Sequence, residues 1–222
     1  MISVSLRGVT GMLLLCLLTG AVVAQPAGDD NLSINARFLV SARSGDAVGL
    51  ERALAMGANV DSRNRLGESA LVILLKNNEI DLAQKVLAAG ADVNLAAVNG
   101  ITALMAAAFN GQTALARQLL DKGANVAAVD RLEKNAMTYA AGAGHTDIVL
   151  MLLAKGVDPN AVYHNDLTAL MWAAGYGKTD TVKALLAAGA RPHMKDNRGK
   201  TAAEMARDEH FVETAALLDA SP

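Results

Sequence analysis

Cysteine is almost missing from this chain of 222 residues, which contains Cys16 and no other. Aromatic residues amount to 3%, as three Phe, three Tyr and one Trp, and proline occurs four times. Neither sign of charge prevails: 20 Lys and Arg stand against 22 Asp and Glu, for a net charge of −2. Each scarcity excludes a class of chemistry. With no thiol beyond Cys16 there is no disulfide framework, no thiolate nucleophile and no cysteine-based metal site. The balanced charge gives neither nucleic acid nor an anionic membrane a field to follow. A Gly-x-Ser-x-Gly elbow and a G-x-x-x-x-G-K-[ST] phosphate loop are both absent. His145, His164, His193 and His210 lack the i, i+4 spacing of a metal pair. No cofactor, no metal and no enzymatic activity are therefore expected.

What is present begins with an apolar stretch. Arg7 is the one basic residue before the run Val9 to Leu18, and Val22-Val23-Ala24 supplies small residues ahead of Gln25. This pattern predicts a secretory signal peptide over 1–24, cleaved after Ala24. The segment Gly8 to Ala24, with Thr10, Gly11, Thr19 and Gly20 inside it, only reaches the lower limit of about 17 residues for a spanning helix. Leu15 before Cys16 is not the small residue that a lipid-attachment site needs. The expected mature chain is thus free of cysteine, without stable membrane insertion, and periplasmic or secreted. Residues 25–30 read as a polar linker.

From there the sequence is periodic. Gly57-Ala58, Gly90-Ala91, Gly123-Ala124, Gly156-Val157 and Gly189-Ala190 follow one another at one unvarying step of about 33 residues. A fixed period of this length identifies an array in which each unit buries its apolar face against its neighbours. Within one unit, Thr102 is placed to cap a first helix whose Leu104, Ala107 and Ala108 share one stripe. Gly111 ends that helix, Leu115, Leu119 and Leu120 line a second, and Gly123 follows as its left-handed cap. Asn, Asp and Gly-rich tracts between units have the composition of hairpin-like connections.

The opening Gly100-Ile101-Thr102-Ala103-Leu104-Met105-Ala106-Ala107-Ala108, its counterpart Leu167-Thr168-Ala169-Leu170-Met171-Trp172-Ala173-Ala174, the closing Gly90-Ala91-Asp92-Val93-Asn94 and the pair Gly144-His145 closely resemble the ankyrin repeat. The resemblance spans roughly Asn31 to Asp219, and departs from the family in lacking the Pro and His of its opening motif. It implies an all-α ankyrin repeat solenoid of helix-turn-helix units joined by β-hairpin-like loops, with repeats at about 31–60, 61–93, 94–126, 127–159, 160–192 and 193–219. It also implies a structural role for His145, and turn-bonding roles for Asp92, Asp158 and Asp166. Two repeats deviate. Leu71-Val72-Ile73-Leu74-Leu75 stands where later repeats have small residues, and would either splay the neighbouring helices or fill space beside the first repeat. In the last repeat Ala206-Arg207 replaces Ala-Ala, and Asp208-Glu209 is expected to solvate the face without a neighbour.

The resemblance implies a concave face lined by the first helices and the hairpin tips. The variable position before Ala-Ala holds Ile73, Ala106, Tyr139, Trp172 and Met205. Trp172 and Tyr176 are i, i+4, and Phe109 falls on the equivalent face one repeat before Tyr139. Helices about 8 to 10 Å apart would bring these four rings into one patch, with a dip at Gly142 and Ala143. Arg65, Asn99, Arg131, Lys134, His164 and Asn165 are expected at its rim. The rings are open to two readings: a partner-binding patch, or a seal between each hairpin and its own helix. The first gives an exported, monomeric, protein-binding scaffold. The family resemblance places such proteins beside extracytoplasmic enzymes, including those of oxidative stress. An inhibitor or immunity protein covering an exported enzyme is one alternative, and an enzyme or metal protein another.

Overall fold

Six polar side chains at near-constant spacing start the first helix of each unit. Ser33, Ser69, Thr102, Asn135, Thr168 and Thr201 each accept a hydrogen bond from the backbone N–H three residues on. That bond satisfies one of the donors a helix start leaves unpaired. The resulting computed structural model describes residues 32–221, so the expected signal peptide and linker lie outside the described residues. Among the described residues it is all-helical, with twelve α-helices and no strands.

The helices come in pairs: α1 (Ile34–Ser44) with α2 (Ala47–Ala55), α3 (Ala70–Lys76) with α4 (Ile80–Ala88), and α5 (Ala103–Phe109) with α6 (Thr113–Asp121). The series continues with α7 (Ala136–Ala143) and α8 (Thr146–Ala154), α9 (Ala169–Gly175) and α10 (Thr179–Ala187), then α11 (Ala202–Asp208) and α12 (Val212–Asp219). First helices pack in the order α1, α3, α5, α7, α9, α11, each on the next. Ala107, Ala108, Ala140, Ala141, Ala173 and Ala174 are wholly buried between them. Small side chains there let successive helices approach closely, while Leu115 and Leu119 of α6 and Leu152 of α8 are buried against the first-helix layer.

Leu71 to Leu75 of α3 are all buried. One period earlier, the positions equivalent to Leu74 and Leu75 are the small, buried Ser41 and Ala42 of α1. Of the two expectations for this segment, filling space beside the first repeat is the one that agrees with this burial.

The turn inside each pair passes through a left-handed residue: Gly45, Asn78, Gly111, Gly144, Gly177 and His210 have φ of 70, 62, 68, 87, 63 and 64°. The residue opening the next repeat's second helix reaches back onto that turn. A Cβ at Gly111 would lie 2.4 Å from the His145 ring, and one at Gly177 would lie 2.4 Å from Phe211. His145 Nε2 is also 3.1 Å from the Phe109 carbonyl oxygen. At Asn78 the clasp is a hydrogen bond instead, donated by Gln112 Nε2 to Asn78 Oδ1 at 2.9 Å. His210, in the sixth repeat, takes the same backbone conformation with a full side chain.

Between pairs the chain extends into hairpin-like tips. Isolated antiparallel bridges join Arg63 with Ser69 and Val162 with Thr168. Backbone hydrogen bonds also staple tip to tip: Val98 N–H to Leu66 O, Arg131 N–H to Asn99 O, and Asn197 N–H to Asn165 O. One staple of the series is missing among the described residues, the bond from His164 N–H to Leu132 O. There the tip tightens into a 3-10 turn, His164–Asp166, with both Asn165 and Asp166 at positive φ.

Candidate partner-binding surface

The tip of the fourth repeat is organised by a buried carboxylate. Asp130 Oδ1 accepts from the Leu132 and Lys134 backbone N–H groups at 2.8 and 2.9 Å. Its Oδ2 accepts from the Tyr139 hydroxyl at 2.5 Å, tying the first turn of α7 to its own hairpin. Burial, and after it the Asp130 carboxylate, pushes the Tyr139 hydroxyl far above the usual phenol range. Tyr139 is a neutral donor here.

One period after Asp130 stands Tyr163, whose hydroxyl accepts from Asn135 Nδ2 at 3.0 Å. Burial raises its pKa, partly offset by that bond. The fifth tip therefore presents no carboxylate to Trp172, the residue equivalent to Tyr139. Trp172 Nε1 is buried with no hydrogen-bond partner. A buried donor left so is uncommon and unfavourable.

The four rings meet as the spacing implies, in two pairs. Phe109 and Tyr139 are edge-to-face with centroids 6.0 Å apart, and Trp172 and Tyr176 are stacked at 6.0 Å with planes 10° apart. Lys134 Nζ bridges them, 4.3 Å from the Trp172 ring centroid and 6.0 Å from that of Tyr139. Together with Thr138, Gly142 and Ala143 they line a shallow pocket of about 180 Å³. A Cβ at Gly142 would stand 3.6 Å from both Trp172 and Tyr176, so its absence makes the floor.

The structure divides the four rings between the two readings of the sequence, exposed patch and packed seal. Tyr139 and Trp172 are half-buried and packed against the core cluster, whereas Phe109 and Tyr176 are 59% and 55% exposed. The physical reason is that ring size outweighs helical phase: a residue one step off the apolar stripe still covers it when the side chain is long.

The rim is uneven. Arg131 is exposed beside the patch-bearing tip, and its backbone N–H is engaged with Asn99. His164 Nδ1 is 3.4 Å from Glu133 Oε2, both largely exposed. Asn165 Oδ1 accepts from Asn197 Nδ2 at 3.0 Å. His164 and Asn165 are thus engaged with neighbouring tips, while Lys134 lies over the rings.

A second depression escaped the sequence reading. Leu167, Met171, Trp172, Gly175, Tyr176 and residues of the sixth repeat enclose a cleft of about 380 Å³ between α9 and α11. Asp208 and Glu209 are exposed but line it, so they lie toward α9 and not on the end of α11 without a neighbour; Arg207, exposed and bonded to Asp219, is the residue of this group outside the cleft. Asp208 and Glu209 follow Gly175 and Tyr176 by one period, and this shared phase with the inward-facing residues was the available signal. Among the described residues no group of three or more His, Cys, Asp or Glu could hold a metal ion, and no helix is long and apolar enough to cross a membrane.

No curated protein matches the chain. A family model described as ankyrin repeats in three copies matches residues 38–130, 74–163 and 137–220, together most of the sequence. Ankyrin repeats generally mediate protein–protein interaction, and proteins built from them are typically non-enzymatic scaffolds. With its constant period, paired helices and stapled tips, this chain belongs to the ankyrin repeat family.

Proposed function

We propose that the protein is an exported, non-enzymatic scaffold that binds another protein through the concave face of its third to fifth repeats. The observation that carries this reading is the continuous aromatic surface, in which exposed Phe109 and Tyr176 flank half-buried Tyr139 and Trp172 under one lysine. Tyr and Trp are the side chains that most often anchor protein interfaces, and exposed ring area without a partner in the same chain is costly in water. Arg131, Lys134, His164 and Asn165 supply the polar rim that excludes water from such an anchor. The partner is an extracytoplasmic protein, met by a monomer of this chain after removal of residues 1–24.

Because Tyr139 and Trp172 also pack on the core, their truncation mixes folding with binding. Phe109→Ala and Tyr176→Ala are the cleaner probes. Each should shift the unfolding midpoint little while lowering capture of partners from the exported compartment at least about tenfold, the loss expected of a hot-spot side chain worth more than about 1.4 kcal/mol. Equal capture by both variants and the parent would move the binding surface elsewhere.

A further inference from the structure

The Trp172–Tyr176 stack has two sides of opposite character. Toward the fourth repeat lies the pocket that holds the Lys134 ammonium. Toward the sixth lies the larger cleft, with Met171 and Met205 lining it and Asp208 and Glu209 at its edge. We propose that this cleft receives a long cationic side chain, an arginine or lysine of the partner protein. The inference rests on the protein-binding reading above and specifies the chemistry of the bound segment.

Three observations converge on that occupant. The first is size: at about 380 Å³ the cleft is near the lower limit, about 300 Å³, of sites that enclose a small ligand, which suits one side chain and not a helix. The second is its lining of aromatic and thioether groups, which receives the methylene stem and lets a cation lie against the rings. The third is charge. Arg198 also lines the cleft, but its Nε donates to buried Asp196 Oδ2 at 2.8 Å, and Lys200 pairs with Asp208. Glu209 makes no ion pair among the described residues, so the balance at the cleft is left negative. An incoming guanidinium or ammonium supplies the partner that exposed Glu209 lacks at the cleft's edge, while its stem and cation lie against the rings, so the charge selects the occupant and the ring contacts supply most of the binding.

The cleft exists because α9 ends in Gly175. A Cβ there would meet nothing within 4 Å, and its φ is not in the left-handed region, so a side chain fits without strain and occupies the cleft. Gly175→Leu is therefore a plug that leaves the fold intact.

Trp172 is the sole tryptophan, so its indole N–H gives a single resonance; the ring borders both depressions, and the Gly175→Leu plug is what assigns a response to this cleft. The full exported chain is titrated with acetyl-arginine-amide and with acetyl-citrulline-amide, which has the same shape without the charge. The arginine probe should shift the resonance saturably, and the citrulline probe should bind at least about tenfold more weakly. Gly175→Leu should abolish the arginine response while keeping the parent's unfolding midpoint, and Glu209→Gln should weaken it without blocking the cleft. Equal binding of the two probes, or an unchanged response in Gly175→Leu, overturns the inference. Loss of partner capture in Phe109→Ala tests the broader reading separately, because Phe109 does not line this cleft.

Discussion

Gly123 and Gly111 hold similar backbone angles, φ of 84 and 68°, for different reasons. A Cβ at Gly123 would meet nothing within 4 Å, so the position asks only for a residue that tolerates the left-handed region. Gly123→Val should cost more than about 1 kcal/mol, all of it conformational. Gly111 is closed as well by the His145 ring. Gly111→Ala should therefore cost more than Gly123→Ala, and the excess should fall when His145→Ala is added, although His145→Ala alone removes the contact with the Phe109 carbonyl. Urea unfolding of the four variants, read as a double-mutant cycle, gives the coupling. Additive effects at Gly111 and His145 would show that the ring does not fill the glycine's space. Gly-His was legible in the sequence as a motif. That the histidine serves the preceding repeat's glycine was not, since sequence spacing does not say which turn a ring will cover.

Among the elements, the hairpin tips depend on single acceptors. Asp196, buried in the last tip, accepts from the Arg198 and Lys200 backbone N–H groups at 2.9 and 2.8 Å and from Arg198 Nε. Burial raises its pKa, but these donors outweigh burial and hold the carboxyl below its ordinary value of 3.8. A carboxyl lowered in the folded state stabilises the fold fully above its unfolded pKa, and that contribution is lost as pH falls through the folded value. Asp196→Asn should thus be less stable than the parent at pH 7, with the difference shrinking below about pH 4. A gap in unfolding midpoint that stays constant from pH 7 to pH 3 would rule the carboxylate out as its source. The helices were legible because caps, alanine pairs and glycines recur with one period. The tips were legible only as composition: Asp130, which fixes Tyr139, differs from its counterpart Tyr163, and this difference decides that Tyr139 has an acceptor while Trp172 does not. The aromatic cluster could be read from spacing on parallel helices. Its division into packed and exposed rings depends on side-chain reach, and the cleft at Gly175 on a void, neither of which a periodic pattern records.

For the whole molecule, the array's ends and its destination matter most. Each internal first helix is covered on both sides by its neighbours, and α11 ends the series with Arg207 bonded to Asp219 on its outer side. Export is the proposal that sets the partner's compartment. Protein recovered from the extracytoplasmic fraction should have the intact mass of a chain beginning at Gln25; retention of Met1 to Ala24, or a wholly cytosolic location, would refute it. The unstapled junction between the fourth and fifth tips bears on the shape such a partner meets. On the helical side the same two repeats remain tied, Thr146 to Thr181 through their hydroxyls at 2.8 Å. At the fore-edge this junction is held by side chains instead of backbone, Asn135 Nδ2 donating to the Tyr163 hydroxyl at 3.0 Å and His164 Nδ1 lying 3.4 Å from Glu133 Oε2, as a book is held by thread where glue is left out. Phe109 and Tyr139 lie on one leaf and Trp172 and Tyr176 on the other, so the junction that lacks a backbone staple runs through the middle of the aromatic surface. A protein seated on both leaves therefore bears on the one tip junction, among the described residues, that rotatable side chains hold without a backbone bond.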